Sequence, residues 1–191
     1  MKIISVNVGK PRDVLSGGKT VRTGIFKAPV AGRVTARRFN LDGDGQADLR
    51  IHGGQDKAVY VYPSEHYAFW SETLPGIEFS WGIFGENLTL EGLVETDIRI
   101  GDRLTVGSAE FAVTRPRMPC FKLALRFGRP DMVKRFLHSG RTGWYLAVVQ
   151  EGEIGAGDDV TRTSGANGSV TIADVWRDNF RKQQMRGAGQ K

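Results

Sequence analysis

The chain has 191 residues, 40% hydrophobic and 25% charged, the composition of an ordinary globular protein with room for one real core. No apolar run approaches the ~20 residues of a membrane-spanning helix, and the N-terminus has no apolar signal core, so a cytoplasmic protein with no membrane partner is expected. Of the net charge of +6, residues 177–191 contribute +4 from five cations and one acid; this reads as a solvated tail and argues against a nucleic-acid partner.

Short β-branched and aromatic runs between Gly-, Asp- and Pro-containing turns predict a mainly β fold. In chain order, strands are expected at Lys2–Val8, Val21–Phe26, Gly32–Phe39, Ala58–Tyr62 and Asn87–Leu90. Arg103–Val106 and Glu110–Thr114 follow as the clearest hairpin, turning through Gly107-Ser108-Ala109, then Tyr145–Val149 and Val160–Thr163. Helices are few. Ser64 is placed to cap one carrying Tyr67, Trp70 and Leu74, and Pro130 to open one carrying Met132, Val133, Phe136 and Leu137, with Gly140 as its stop. Thr171 and Asp174 form a capping box ahead of Ile172, Val175, Trp176 and Phe180. The linker-like composition of residues 164–169 divides a main domain, 1–163, from a C-terminal stretch, 164–191, of linker, helix and basic tail.

One cysteine, Cys120, and three scattered histidines cannot build an all-protein zinc site, so a bound metal must take most of its ligands from a cofactor. Cys120 sits in Arg115-Pro-Arg-Met-Pro-Cys-Phe-Lys122, and residues 111–130 hold five cations (Arg115, Arg117, Lys122, Arg126, Arg129) and no acid. Cations around a sulfur favour the thiolate, the form that attacks electrophiles and binds soft metals, and a helix starting at Cys120 would act in the same direction. A buried structural cysteine beside a solvated basic face explains the same residues.

The stretch Asp42 to Lys57 superficially resembles a calcium loop. It has Ala47 where the sixth-position glycine belongs and Gly53 where the twelfth-position glutamate belongs, so calcium is not expected. Its second half, His52-Gly53-Gly54 with Arg50 and Lys57, lets backbone approach a ligand and puts cations within reach of phosphate or pterin oxygens; a plain glycine turn is the competing reading. Phe84-Gly-Glu-Asn87 supplies a carboxylate and an amide, and a solvated turn is its simplest reading. The four tryptophans read as core.

Taken in order, Gly-Asp-Gly-Gln-Ala-Asp (43–48), His-Gly-Gly (52–54), Asp-Lys-Ala-Val-Tyr (56–60), Phe-Gly-Glu-Asn-Leu (84–88), Ile-Gly-Asp (100–102) and Pro-Arg-Met-Pro-Cys-Phe-Lys-Leu (116–123) resemble the YiiM branch of MOSC domains from Met1 to about Thr163. The resemblance implies a β-barrel-like fold. It also implies the molybdenum cofactor, Mo-molybdopterin, with Cys120 as thiolate ligand to the metal beside the dithiolene sulfurs. Arg50, His52, Gly53, Gly54, Lys57, Asn87, Arg115, Arg117 and Lys122 would hold the cofactor, and His52 or Glu86 would deliver a proton. The implied activity is reduction of N-hydroxylated compounds, such as hydroxylamino purines, to amines, with electrons from a separate reductase. A carrier of sulfur or of the cofactor, using Cys120 without redox turnover, is the alternative. The C-terminal stretch allows one convincing helix where this branch carries a fuller three-helix extension.

Overall fold

The computed structural model describes residues 1–47, 53–165 and 170–188. Along the chain run β1 (Lys2–Val8), β2 (Arg12–Ser16), β3 (Lys19–Thr23), β4 (Ala28–Pro29), β5 (Arg33–Arg37), β6 (Asn40–Leu41), β7 (Val59–Pro63), α1 (His66–Thr73) and β8 (Leu88–Glu91). Then come β9 (Arg103–Val106), β10 (Ala109–Pro116), α2 (Phe121–Phe127), α3 (Met132–Ser139), β11 (Trp144–Gln150), β12 (Gly152–Gly155), β13 (Val160–Thr163) and α4 (Ile172–Ala188). The fold is mainly β with a few helices.

Eight strands form one sheet in the order β13-β9-β10-β11-β7-β8-β1-β4. The sheet is open, yet it curls until β1 meets the start of β13. Ile3 N–H donates to Asp158 O at 2.9 Å, Val160 N–H to Met1 O at 3.0 Å, and Lys2 bridges Asp159. This is how an open sheet acquires a barrel-like interior.

The alternation of strand side chains divides the core in two. In β7, every residue is buried. Val59 and Val61 enter an aliphatic interior with Leu88, Leu104, Phe111 and Leu146, while Tyr60 and Tyr62 enter a second cluster with Trp70, Phe84, Leu123 and Phe136. A central strand covered on both faces reads as a continuous apolar run. The second cluster lies under α1, α2 and α3, and Trp70 Nε1 donates to the Tyr62 hydroxyl at 2.6 Å across it. Of the tryptophans, Trp70 and Trp144 are core residues as expected.

Several local expectations change. The hairpin of β9 and β10 pairs Val106 with Ala109, so its turn holds two residues instead of three. Ser64 does not cap α1 with its side chain; its carbonyl accepts from Tyr67 N–H at 3.0 Å while the hydroxyl turns to Glu65. Pro130 stays outside α3, whose cap residue is Asp131, and Gly140 ends the helix with φ 69°. The capping box of α4 is present: Asp174 N–H donates to Thr171 Oγ1 at 3.1 Å, and that hydroxyl donates to the Asp174 carboxylate at 2.7 Å. α4 docks on the domain through Ile172, which is fully buried, and through backbone bonds from Ile172 to Ile98 and from Ala173 to Glu95.

The hairpin arm β2 had no signal in the sequence. It pairs with β3 through Gly17 and Gly18, both at positive φ, in the two-residue turn that suits the twist of antiparallel strands. Among the described residues, no helix is long and apolar enough to cross a membrane.

Candidate functional site

A cleft of roughly 100 Å³ opens beside the N-terminus of α2. β10 ends at Pro116, and Arg117 to Pro119 lead into Cys120, which takes the cap position of α2 with an extended backbone (φ −127°, ψ 175°). The helix considered near Cys120 is present and begins directly after the cysteine. Opposite lie the segment Gly24–Lys27, which follows β3, and residues 44–47 after β6. These two runs touch through glycines: a Cβ on Gly24 would lie 2.3 Å from Gly45 O. Gly85, at φ 80°, lets the Phe84–Asn87 turn press on Ile25, where a Cβ would meet Cγ1 at 2.7 Å.

Lys57, Asn87, Arg117, Cys120 and Lys122, anticipated from sequence, line this one cleft. Gly53, Gly54 and Arg115 line an adjoining depression that shares Lys57 with it. Arg115 there pairs with Asp56 at 3.4 Å, both exposed, an ion pair of little energetic weight. Arg50 and His52 lie outside the described residues.

Two of the anticipated residues turn out to have structural duties. Asn87 spends its amide on the wall: Oδ1 accepts from Tyr60 N–H at 3.0 Å, and Nδ2 donates to Asp44 Oδ2 at 2.9 Å. Glu86 is fully buried and does not line the cleft, so the expected solvated turn is corrected. Its carboxylate accepts from Gly82 N–H at 2.8 Å, Phe84 N–H at 3.1 Å, the Thr89 hydroxyl at 3.1 Å and the Tyr67 hydroxyl. Burial pushes its pKa up, against the pull of these donors.

Sequence reasoning missed Lys27, Asp44, Tyr60 and Tyr145, which also line the cleft. Lys27 and Asp44 form a buried ion pair, with side chains 8% and 1% exposed. Asp44 also accepts from Gly9 N–H at 3.0 Å. Burial lowers the Lys27 pKa, Asp44 opposes that shift, and nearby Arg117 adds to it. Nothing local in Gly24-Ile-Phe-Lys27 marks this lysine for a site.

Arg117 is 6% exposed. It donates to Phe84 O and lies over the rings of Tyr60 and Phe136, 4.6 and 5.5 Å from their centroids. Cys120 is its electrostatic neighbour. No carboxylate pairs with it among the described residues. Such a buried cation, carried by ring faces and one carbonyl, calls for an anion on its open side. Among the described residues no group of three His, Cys, Asp or Glu side chains could hold a metal by itself. The donor set is one sulfur among cations, which suits a metal that arrives with its own anionic ligand.

Residues 48–161 match the MOSC domain family. The chain is 43% identical to an uncharacterized protein, YflK, of Bacillus subtilis over 93% of its own length and 80% of the relative's. It is 33% identical to a Gibberella moniliformis protein named Reductase, over 83% of this chain but 28% of that much longer one. The crystal structure of YiiM from Geobacillus stearothermophilus superposes with a TM-score of 0.78 at 36% identity, covering 95% of this chain and 84% of that one. With the sequence matched through the cysteine region and the curled sheet shared with a solved relative, the chain belongs to the MOSC domain family, on its YiiM-type branch.

Proposed function

We propose that this protein binds the molybdenum cofactor in the Cys120 cleft and reduces N-hydroxylated small molecules to amines, with electrons from a separate reductase. The observation that carries this reading is Arg117, a buried cation with no paired carboxylate among the described residues, beside the chain's one thiol. The Gibberella relative named Reductase supports the oxidoreductase class.

When bound, the cofactor would supply redox-active metal chemistry for a two-electron reduction. The substrate R–NHOH, two electrons and two protons give R–NH₂ and water. Cys120 would hold the metal through its thiolate. Arg117, Lys57 and Lys122 hold anionic oxygens, and Gly53, Gly54 and Arg115 extend that surface into the adjoining depression. Asn87 and Asp44 together fix Lys27 at the cleft wall. Lys27 carries a proton at Nζ facing the cleft, and its burial eases the release of that proton. Glu86 holds the Phe84–Asn87 turn in shape and stays out of the proton path.

Molybdenum content and released-pterin fluorescence, measured on wild type and Cys120→Ala purified from a host that makes the cofactor, test the proposal. Near-stoichiometric metal and pterin in wild type, with metal lost in the variant, is the expected outcome. Absence of both from both proteins overturns it, and a cyanide-labile sulfur on Cys120 would then support the carrier instead.

A further inference from the structure

Outside the cations that line the cleft with Cys120 lies a second pair, Arg12 at the start of β2 and Arg126 in the last turn of α2. Their guanidinium carbons stand 3.9 and 5.1 Å from the centroid of the same ring, Phe26. Neither side chain makes a hydrogen bond or ion pair among the described residues, where Arg126 Nε is buried without a hydrogen-bond partner. Burial and the charge of Arg12 both push Arg126 toward losing its proton. A buried guanidinium N–H with no acceptor, held beside a second cation, is costly unless an anion joins it.

The pair lies at the rim of the cleft. Ile25 and Lys27, on either side of Phe26, line it. Pro11, next to Arg12, packs on cleft residue Gly45, where a Cβ would lie 2.6 Å from its Cδ. Arg126 is six residues along α2 from Cys120, about 9 Å of helix rise.

We infer that Arg12 and Arg126 form a subsite for the phosphate monoester of a nucleotide whose base lies in the cleft. This deepens the reductase reading and rests on it for the choice of a base-bearing ligand. The choice of a substrate phosphate follows from position. Arg117, Lys57 and Lys122 line the cleft with Cys120 and are available to the cofactor's own anionic groups, whereas Arg12 and Arg126 sit on Phe26 outside that lining.

The test uses the protein as purified, with molybdenum and pterin measured on every sample. Titration calorimetry compares adenosine 5′-monophosphate with adenosine on wild type, Arg12→Gln and Arg126→Gln. The monophosphate is expected to bind wild type about tenfold more tightly than adenosine, from one or two charge-assisted contacts. Each variant should bring the monophosphate down to the level of adenosine, leaving adenosine binding and cofactor content unchanged. Arg12 is exposed, so its variant reports binding without a folding defect. No saturable binding of the monophosphate, equal binding of the two ligands, or an unaltered preference in both variants overturns the subsite. Loss of pterin from the variants also overturns it, by making the anion the cofactor's phosphate. A preserved preference in a protein that reduces no N-hydroxylated nucleotide upholds the subsite and removes the reductase reading instead.

Discussion

Lys27, Glu86, Asp102 and Arg117 are all buried ionisable side chains, and their surroundings answer each charge differently. Asp102 has Arg162 at 2.8 Å and the N–H groups of Arg99 and Gly165, so the Ile-Gly-Asp turn proves to be a structural clasp. Glu86 accepts from four donors, two of them backbone N–H groups. Glu86→Gln would turn an NH₂ toward some of these donors, and a loss of about 1–3 kcal/mol is expected in denaturant melts, with cofactor content preserved. Lys27 predicts a pH dependence. Folding strips water from its ammonium, so the folded chain releases that proton at lower pH than the unfolded chain, whose lysine keeps the ordinary value of 10.5. Below the lowered folded value both states are protonated and the burial cost is fully present. Between that value and 10.5 the unfolded chain binds more protons, so this group makes stability rise with pH. Lys27→Met should flatten that rise in melts recorded across the alkaline range, and an unchanged slope would refute the assignment.

At the scale of elements, strands with one buried face were legible and strands without one were not. β1 and β9 follow their expected bounds because apolar side chains alternate or cluster in them, and β13 does so as a β-branched run after the Gly157-Asp158 turn. β2 alternates only between exposed and half-buried positions, and it exists because β3 pairs with it. The helix over Phe121–Phe127 was expected only as a possibility at Cys120, since its seven residues offer too short a stripe to read. The caps were partly legible. The Thr171 box formed, and Thr171→Ala should cost about 1 kcal/mol and fray the start of α4, measurable as faster amide exchange at Ala173 and Asp174. Ser64 failed as a cap because the backbone of Ser64 and Glu65 already turns into the helix and the hydroxyl is left outside.

For the whole molecule, the curl of the open sheet and the docking of α4 matter most. α4 was assigned to a stretch separate from the main domain, residues 1–163, yet it inserts fully buried Ile172 and bridges Thr171 to Arg99. Truncation before Val170 should therefore lower stability by about 2 kcal/mol or more, the worth of one buried isoleucine. The cleft lies elsewhere and shares no residue with α4, so molybdenum and pterin content should persist; their loss would make α4 part of the site.

Local patterning was enough to establish a β-rich chain, the cation-rich surroundings of Cys120 and the ordered motifs that resemble MOSC domains, because each is carried by neighbours in sequence. Five of the anticipated residues, Lys57, Asn87, Arg117, Cys120 and Lys122, line one cleft. Tertiary structure decided which charges are buried and what faces them. Lys27 meets Asp44 across 17 residues, and Arg117 meets Phe84 across 33. Arg12 and Arg126 converge on Phe26 from opposite halves of the chain. Burial and charge pairing depend on which surfaces the folded sheet brings together, and adjacency in sequence carries no record of that.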